Sequence, residues 1–114
     1  MGDLDTLTSA IKTCFNKYAT FDGRANRSEY WFFTLFVFVT SIVLTFISIG
    51  LYTVFFFGII IPHLAVACRR LHDTNRSGWF QLLLLIPIAG FILLVIWYAT
   101  EGTKGKNNFG PQPK

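Results

Sequence analysis

The sequence feature that most constrains this chain is its longest uncharged run, residues 31–68, which contains no Asp, Glu, Lys or Arg. An α-helix rises about 1.5 Å per residue, so one straight helix of this length would be nearly twice as long as a ~30 Å hydrocarbon core is thick. The run must therefore fold back on itself, and residues 48–50 (SIG) form its best turn. This predicts two spans, residues 31–49 and 51–68.

A second uncharged run, residues 79–98, has about the length of a third span, and Pro87 and Gly90 suggest a bend near its middle. The chain is 53% hydrophobic and 14% charged, against about 25% charged residues in a typical soluble domain. We therefore predict an all-α membrane protein that forms a single membrane domain, residues 1–114, with three transmembrane helices.

The two ends of the chain are more polar than its middle. Apolar residues recur at helical spacing through residues 3–20, which predicts a short amphipathic helix lying on the membrane surface. The alternative is a helix packed on its own bundle. Residues 101–114 are rich in turn formers and predict an extended polar tail, with Phe109 as its docking residue.

With three spans, the N-terminal segment and the polar residues 69–76 share one side of the membrane. That side carries seven lysines and arginines and the other side carries three, so the positive-inside rule predicts a cytoplasmic N-terminus and an outside C-terminus. A two-span alternative with a re-entrant hairpin places the tail inside as well. Aromatic residues that flank the apolar runs are predicted to lie at headgroup level: Tyr30, Trp31, Trp79, Trp97 and Tyr98.

Two charged clusters are expected to meet over the bundle, and Asn26 or Ser28 should cap the first span. We expect Glu29 to pair with Arg70 or Arg76, and Asp73 to pair with Arg24 or Arg27, because an Arg fork matches a carboxylate. The cluster is either a structural ion-pair network or a site for an anionic headgroup. Its candidate binding residues are Arg24, Arg27, Glu29, Arg69, Arg70, His72, Asp73 and Arg76.

Among the polar residues within the predicted hydrocarbon, His63, Ser41 and Thr45 are the candidate site residues. His63 is the only ionisable one, and ionisable groups at such depth are functional candidates, although a histidine bonded to a neighbouring helix is the plainer interpretation. Ser41 and Thr45 share a helix face with Thr34 and Ser48. Small hydroxyl residues on one face favour helix–helix contact, with a polar pathway as the sharper alternative.

The sequence contains no catalytic signature, and we predict no catalytic residue, metal site or cofactor. Cys14 and Cys68 are far apart and outside metal-ligand spacing, so they are expected to be free thiols. The net charge of +4 favours an anionic membrane leaflet over nucleic acid as the partner, since no basic run is interleaved with aromatics on a soluble face.

Three motifs in order carry a family resemblance: residues 21–31 (FDGRANRSEYW), residues 69–73 (RRLHD) with 77–79 (SGW), and residues 108–111 (NFGP). The chain resembles the domain-of-unknown-function 805 family, the YhaH-like small inner-membrane proteins of bacteria, over nearly its whole length. The resemblance implies an inner-membrane location and a helical fold of a few spans, and it implies no activity.

The leading functional hypothesis is a non-enzymatic module that binds anionic lipid or a protein partner through the cytoplasmic Arg-rich cluster. Three short spans enclose little space, so the alternative, a transporter or channel subunit, requires a symmetric homo-oligomer. In that case His63 and the hydroxyl face of the first span would line the pathway.

Overall fold

The structure, a computed structural model, describes residues 3–113 and is built from helices. They are α1 (Asp3–Asn16), α2 (Arg27–Ile47), α3 (Ile49–Asp73), a 3₁₀ helix (Gly78–Leu85) and α4 (Ala89–Ala99). Only α2 and α3, among these elements, are long and apolar enough to cross a membrane. The all-helical architecture is confirmed, whereas three membrane-crossing helices are not clearly present.

The helices α2 and α3 form an antiparallel hairpin around a break of one residue. The side chain of Asn26 accepts a hydrogen bond from the Glu29 N–H and caps α2 as predicted. Ser48 has extended backbone angles, ends α2 and caps α3 by accepting from the Gly50 N–H. The turn is where the sequence predicts it, but α3 runs five residues beyond the predicted span and ends at Asp73.

Residues 79–98 do not form the single helix that the sequence analysis predicts. The 3₁₀ helix ends at Leu85, and α4 begins only at Ala89. Between them Pro87 lacks an N–H and Ile88 has φ +68° and ψ −69°, so the Pro87 carbonyl accepts from the Ala89 N–H at 2.8 Å. This is a γ-turn with positive φ, a rare and strained geometry that reverses the chain.

The reversed run begins and ends at the same end of the α2–α3 hairpin. Near its start, Gln81 Nε2 donates to the Leu64 carbonyl at 3.4 Å. At its end, the Tyr98 carbonyl accepts from Arg70 Nε at 2.8 Å and from Trp31 Nε1 at 3.1 Å. Each arm is only about 16 Å long by its helical rise, roughly half of a ~30 Å hydrocarbon core.

The polar tail folds back over the end of α3. Arg24 Nη1 donates to the carbonyls of Gly105 and Gly110 at 2.6 and 3.1 Å, and Asn107 Nδ2 donates to the His72 carbonyl at 2.9 Å. The Phe109 ring stacks on His72 with centroids 4.0 Å apart, as docking through Phe109 requires. Lys114 lies outside the described residues.

These contacts overturn the expected separation of the two ends of the chain. A tail outside the membrane could not bond to Arg24, which directly precedes the predicted cytoplasmic start of α2. The prediction of opposite sides is wrong because it counted residues 79–98 as a full crossing, whereas Pro87 and Ile88 turn this run back. The geometry matches the two-span alternative.

The helix α1 packs against α2 and α3, which was the alternative to a helix lying on the membrane surface. Cys14 is fully buried, and the Phe15 ring meets Phe33 edge-on at 5.7 Å between centroids. Just after α1, the Tyr18 hydroxyl donates to the carbonyl of Gly58. Pro62, four residues later in α3, has no N–H to offer this carbonyl, so Tyr18 satisfies a group that the proline leaves open.

We expect Tyr18→Phe to lower the free energy of unfolding by about 1–3 kcal/mol, because the Gly58 carbonyl then lies in an apolar environment without a donor. Thermal unfolding in detergent micelles measures the change. Tyr52→Phe is the matched control, since it removes a hydroxyl from α3 that has no hydrogen bond in the described part of the chain. Equal stability of the two variants would contradict the role of Tyr18.

Candidate functional site

The polar cap is the cluster at the end of α3 that the sequence analysis singled out, and half of its residues belong to the C-terminal end of α3. This cluster consists of Arg24, Arg27, Glu29, Arg69, Arg70, His72, Asp73 and Arg76. The helix ends in a Schellman motif, in which Arg76 N–H donates to the Leu71 carbonyl and Asn75 N–H donates to the His72 carbonyl, both at 2.9 Å. Asn75 takes φ +63°, a conformation that Asn tolerates better than most residues.

Asp73 lies at the centre of the polar cap between two arginines. Its Oδ1 atom is 2.9 Å from Arg24 Nε, and its Oδ2 atom is 2.8 Å from Arg70 Nη1. All three side chains are at most 5% exposed. The tail also approaches closely, since a Cβ added at Gly102 would overlap the Asp73 carboxylate. The expected pairing of Asp73 with Arg24 is present, and Arg70 is an additional partner.

Glu29 pairs with Arg69, not with Arg70 or Arg76 as expected. The expectation was wrong because it treated residues 69–76 as a loop, whereas Arg69 and Arg70 lie about 100° apart around a helix and face different neighbours. Arg69 Nη2 is the buried side-chain nitrogen without a hydrogen-bond partner in residues 3–113. The Cys14 thiol is 4.0 Å from Glu29, and burial together with this carboxylate raises the pKa of Cys14 to about 12.

The three buried arginines also bind backbone carbonyls of the segments that surround α3. Arg69 Nε donates to Thr20, and Arg70 donates to Ala25, Tyr98 and Thr100. Each planar guanidinium carries five donors, so one side chain can join several segments. These arginines are therefore occupied by the protein itself and offer no free face to a headgroup.

Arg27 and Arg76 form the outward part of the polar cap. Arg27 is exposed and Nη1 donates to the Ala99 carbonyl at 3.4 Å. The Arg76 guanidinium lies 4.5 Å from the centroid of the Trp97 ring, within the range of a cation–π contact. Neither residue forms an ion pair among the side chains that the structure describes.

The aromatic residues predicted as interface anchors all lie at the polar-cap end. Tyr30 and Tyr98 have ring centroids 4.5 Å apart, and Trp31 bonds to the Tyr98 backbone. Trp79 is 78% exposed. Trp97 and Tyr98 lie at this end because α4 returns to it, so they do not form a belt on the opposite side. Their role as membrane anchors stays a prediction.

The intramembrane polar residues are divided between an internal contact and an outer surface. His63 Nε2 is 3.3 Å from Thr34 Oγ1, which joins α3 to α2. The Thr45 hydroxyl donates to the Ser41 carbonyl of its own helix at 2.7 Å, on a face where Thr45 is exposed. Both residues line one surface depression together with Tyr52 of α3, and their role in contact between helices stays a prediction.

His72 has a partner that the sequence analysis missed. Its Nδ1 atom is 2.9 Å from the Gly23 carbonyl, and its Nε2 atom is 3.6 Å from the thiol of Cys68. Residues four apart share a helix face, so the Cys68–His72 spacing was a signal that could have revealed the pair. In residues 3–113, no group of three or more His, Cys, Asp or Glu side chains is arranged to hold a metal ion.

Comparisons with known proteins agree with the motifs. The family model for "Protein of unknown function (DUF805)" matches residues 18–111. The inner membrane protein YhaI of Escherichia coli K12 is 39% identical over 104 residues, 85% of this chain and 88% of that protein. The inner membrane protein YhaH of the same strain is 40% identical over 108 residues, 85% of this chain and 89% of that protein. No solved structure matches the chain.

We expect Asp73→Asn to destabilise the fold by about 3–5 kcal/mol, because it leaves two buried arginines without their carboxylate. Asp22→Asn is the matched control, since Asp22 is exposed and outside any ion pair that the structure describes, and it should change stability by less than about 0.5 kcal/mol. Thermal unfolding in detergent measures both. A stable Asp73→Asn protein would mean that the ion pairs are dispensable.

Proposed function

The chain belongs to the Protein of unknown function (DUF805) family, and from that premise we propose that it is a non-enzymatic module of the bacterial inner membrane that binds anionic lipid headgroups. The observation that carries the proposal is the division of the polar cap. Its buried arginines bind groups of the protein itself, whereas Arg27 is exposed and Arg76 is half-buried with its guanidinium group over the Trp97 ring. Each of these guanidinium groups can donate hydrogen bonds to a headgroup phosphate.

The proposed topology has α2 and α3 as the two membrane crossings and residues 78–99 as a re-entrant hairpin. All five arginines lie in residues 24–27 and 69–76, at the polar-cap end of the two crossings, and residues 31–68 contain no lysine or arginine. The turn at Ser48 has no charged neighbour. This asymmetry supports a cytoplasmic polar cap with both ends of the chain inside the cell.

A re-entrant hairpin must satisfy its own backbone groups wherever it meets hydrocarbon. Around the turn, Ile86 N–H donates to Leu83, Ala89 N–H donates to Pro87, and Gly90 N–H donates to Ile86, at distances between 2.8 and 3.0 Å. The exposed side chains of the tip are apolar, including Ile88 at 76% exposure. These features suit the interior of a bilayer and support a hairpin that enters about half of its thickness.

The electrostatic contribution of the two outward arginines can be estimated. A Lys or Arg near an anionic leaflet contributes about 1 kcal/mol, so the pair contributes about 2 kcal/mol or roughly 30-fold in affinity. The aromatic contact of Arg76 with Trp97 holds one cation near the ring that would lie at headgroup level. The alternative ligand is a protein partner with an acidic surface, which would bind to the same two cations.

The transporter alternative is less well supported. A pathway through an oligomer would need free polar groups on the outer surface of α2. The hydroxyl of Thr45 is instead bonded to the Ser41 carbonyl, and its surroundings are Phe38, Ile42 and Phe46. His63 faces Thr34 inside the hairpin.

The proposed topology can be tested with fusion proteins. A fluorescent protein fused to the C-terminus should fluoresce in bacterial cells, and an alkaline phosphatase fused there should be inactive, because the tail is cytoplasmic. Fusions after Ser48 should show the reverse behaviour and serve as the control. An active phosphatase at the C-terminus would contradict the two-crossing topology.

The proposed lipid ligand can be tested with arginine variants. Arg27→Gln/Arg76→Gln should weaken the retention of phosphatidylglycerol or cardiolipin about 30-fold in native mass spectrometry of protein released gently from its membrane. Lys104→Gln/Lys106→Gln removes the same charge from the exposed tail and is the matched control, with unchanged retention expected. Equal loss of lipid retention in both double variants would mean that retention depends on net charge and not on Arg27 and Arg76. Retention unaffected in both would refute lipid binding by the polar cap.

A further inference from the structure

A cavity of about 340 Å³ opens beside the polar cap, and Cys68 and His72 both line it. Phe21, Trp79 and Gln81 are further lining residues, and the cavity is half open to the outside. Gly78 lies against the thiol so closely that a Cβ there would overlap the Cys68 sulfur atom. Cys68 is otherwise buried, so the cavity is the route by which another molecule reaches its thiol, next to an imidazole.

The hydrogen bonds assign the protonation pattern of that imidazole. A backbone carbonyl can only accept, so the 2.9 Å contact with Gly23 requires a proton on Nδ1 of His72. When Nε2 carries no proton it can accept from the Cys68 thiol 3.6 Å away, and the Phe21 carbonyl, 3.5 Å from Sγ, is a second acceptor of that thiol. Stacking on Phe109 holds the plane of the ring. A thiol, a base in reach and a third group that orients the base are the arrangement of an activated nucleophile.

The surroundings of the cavity indicate which group the thiol would accept. Beyond Trp79, the 3₁₀ helix exposes Leu82 and Leu85, at 57% and 81%. A long acyl chain attached to Cys68 could leave through the open side and lie along this apolar surface. Each buried CH₂ would contribute about 0.8 kcal/mol, a gain that a small polar adduct could not make.

We propose that Cys68 is an acyl-acceptor site, assisted by His72, which takes a long-chain acyl group from an acyl thioester. His72 Nε2 removes the thiol proton as Sγ attacks the thioester carbonyl. One C–S bond forms at Cys68, the C–S bond of the donor breaks, and the proton leaves with the departing thiol. No electrons are exchanged, because one thioester replaces another.

The test uses the full-length protein in detergent micelles with palmitoyl-coenzyme A, and mass spectrometry follows each cysteine separately. Cys14 is the internal control, since it is fully buried and does not line this cavity. We expect a hydroxylamine-sensitive palmitoyl group on Cys68 at least about 100-fold faster than on Cys14. An unmodified Cys68, or equal rates at both cysteines, would overturn the proposal even without any variant.

His72→Asn separates the base from the scaffold, because the amide can still donate to the Gly23 carbonyl but cannot take a proton. A general base contributes about 10²–10⁴-fold, so we expect acylation at least about 100-fold slower, with a pH profile that follows thiol ionisation alone. His63→Asn is the matched control and should acylate as the wild type does. An unchanged rate and pH profile in His72→Asn would overturn the role of His72.

The inference depends on the proposed function only for the cytoplasmic position of the cavity, where acyl thioesters occur, and the micelle assay removes that dependence. Arg27→Gln/Arg76→Gln should acylate at the wild-type rate, because neither side chain lines the cavity. If this variant loses lipid retention but acylates normally, the lipid site and the acylation site are independent, so either proposal can fail without the other. If iodoacetamide modifies Cys68 while palmitoyl-coenzyme A does not, the thiol is reactive but the acyl assignment is wrong.

Discussion

The buried carboxylate of Asp73 is the group on which the rest of the polar cap depends. Two arginines flank it, and each of them reaches on to backbone carbonyls of other segments. Arg24 holds the tail, and Arg70 holds the end of α4. A buried charge network of this kind is costly to desolvate and is tolerated only when nearly every donor and acceptor is satisfied. Its effect is therefore to specify where four segments meet.

In the apolar part of the molecule, backbone donors and acceptors must also be satisfied, although no charges are involved. Pro62 and Pro87 each remove a backbone donor, and another donor replaces it in both cases. Tyr18 donates to the Gly58 carbonyl that Pro62 leaves open, and Ile86 N–H donates to the Leu83 carbonyl four residues before Pro87. In lipid an open backbone group costs several kcal/mol, so these contacts allow α1 and the hairpin to remain close to the two long helices.

For function, the important distinction lies between charges that hold the fold and charges that face outward. A count of arginines near the membrane overstates what is available to a ligand, since Arg24, Arg69 and Arg70 are buried and bonded to groups of the protein itself. Only Arg27 and Arg76, among the arginines of the polar cap, present their guanidinium groups to the surroundings. The polar-cap end also contains the Cys68 thiol next to the His72 imidazole, a pair that a count of charged residues does not reveal.

The sequence by itself determined the helical class and the turn at Ser48, because uncharged length and turn residues act through strong local preferences. It narrowed the cap of α2 to Asn26 or Ser28 and the partner of Asp73 to Arg24 or Arg27, and the structure has Asn26 and Arg24. It did not determine the path of residues 79–98. Their composition suits a full crossing as well as a hairpin, and the outcome depends on Arg70 and Trp31 binding the Tyr98 carbonyl from far along the chain. Only the tertiary structure decided the side of the tail, the partner of Glu29 and the juxtaposition of Cys68 with His72 in one cavity, because each of these requires segments to meet in space.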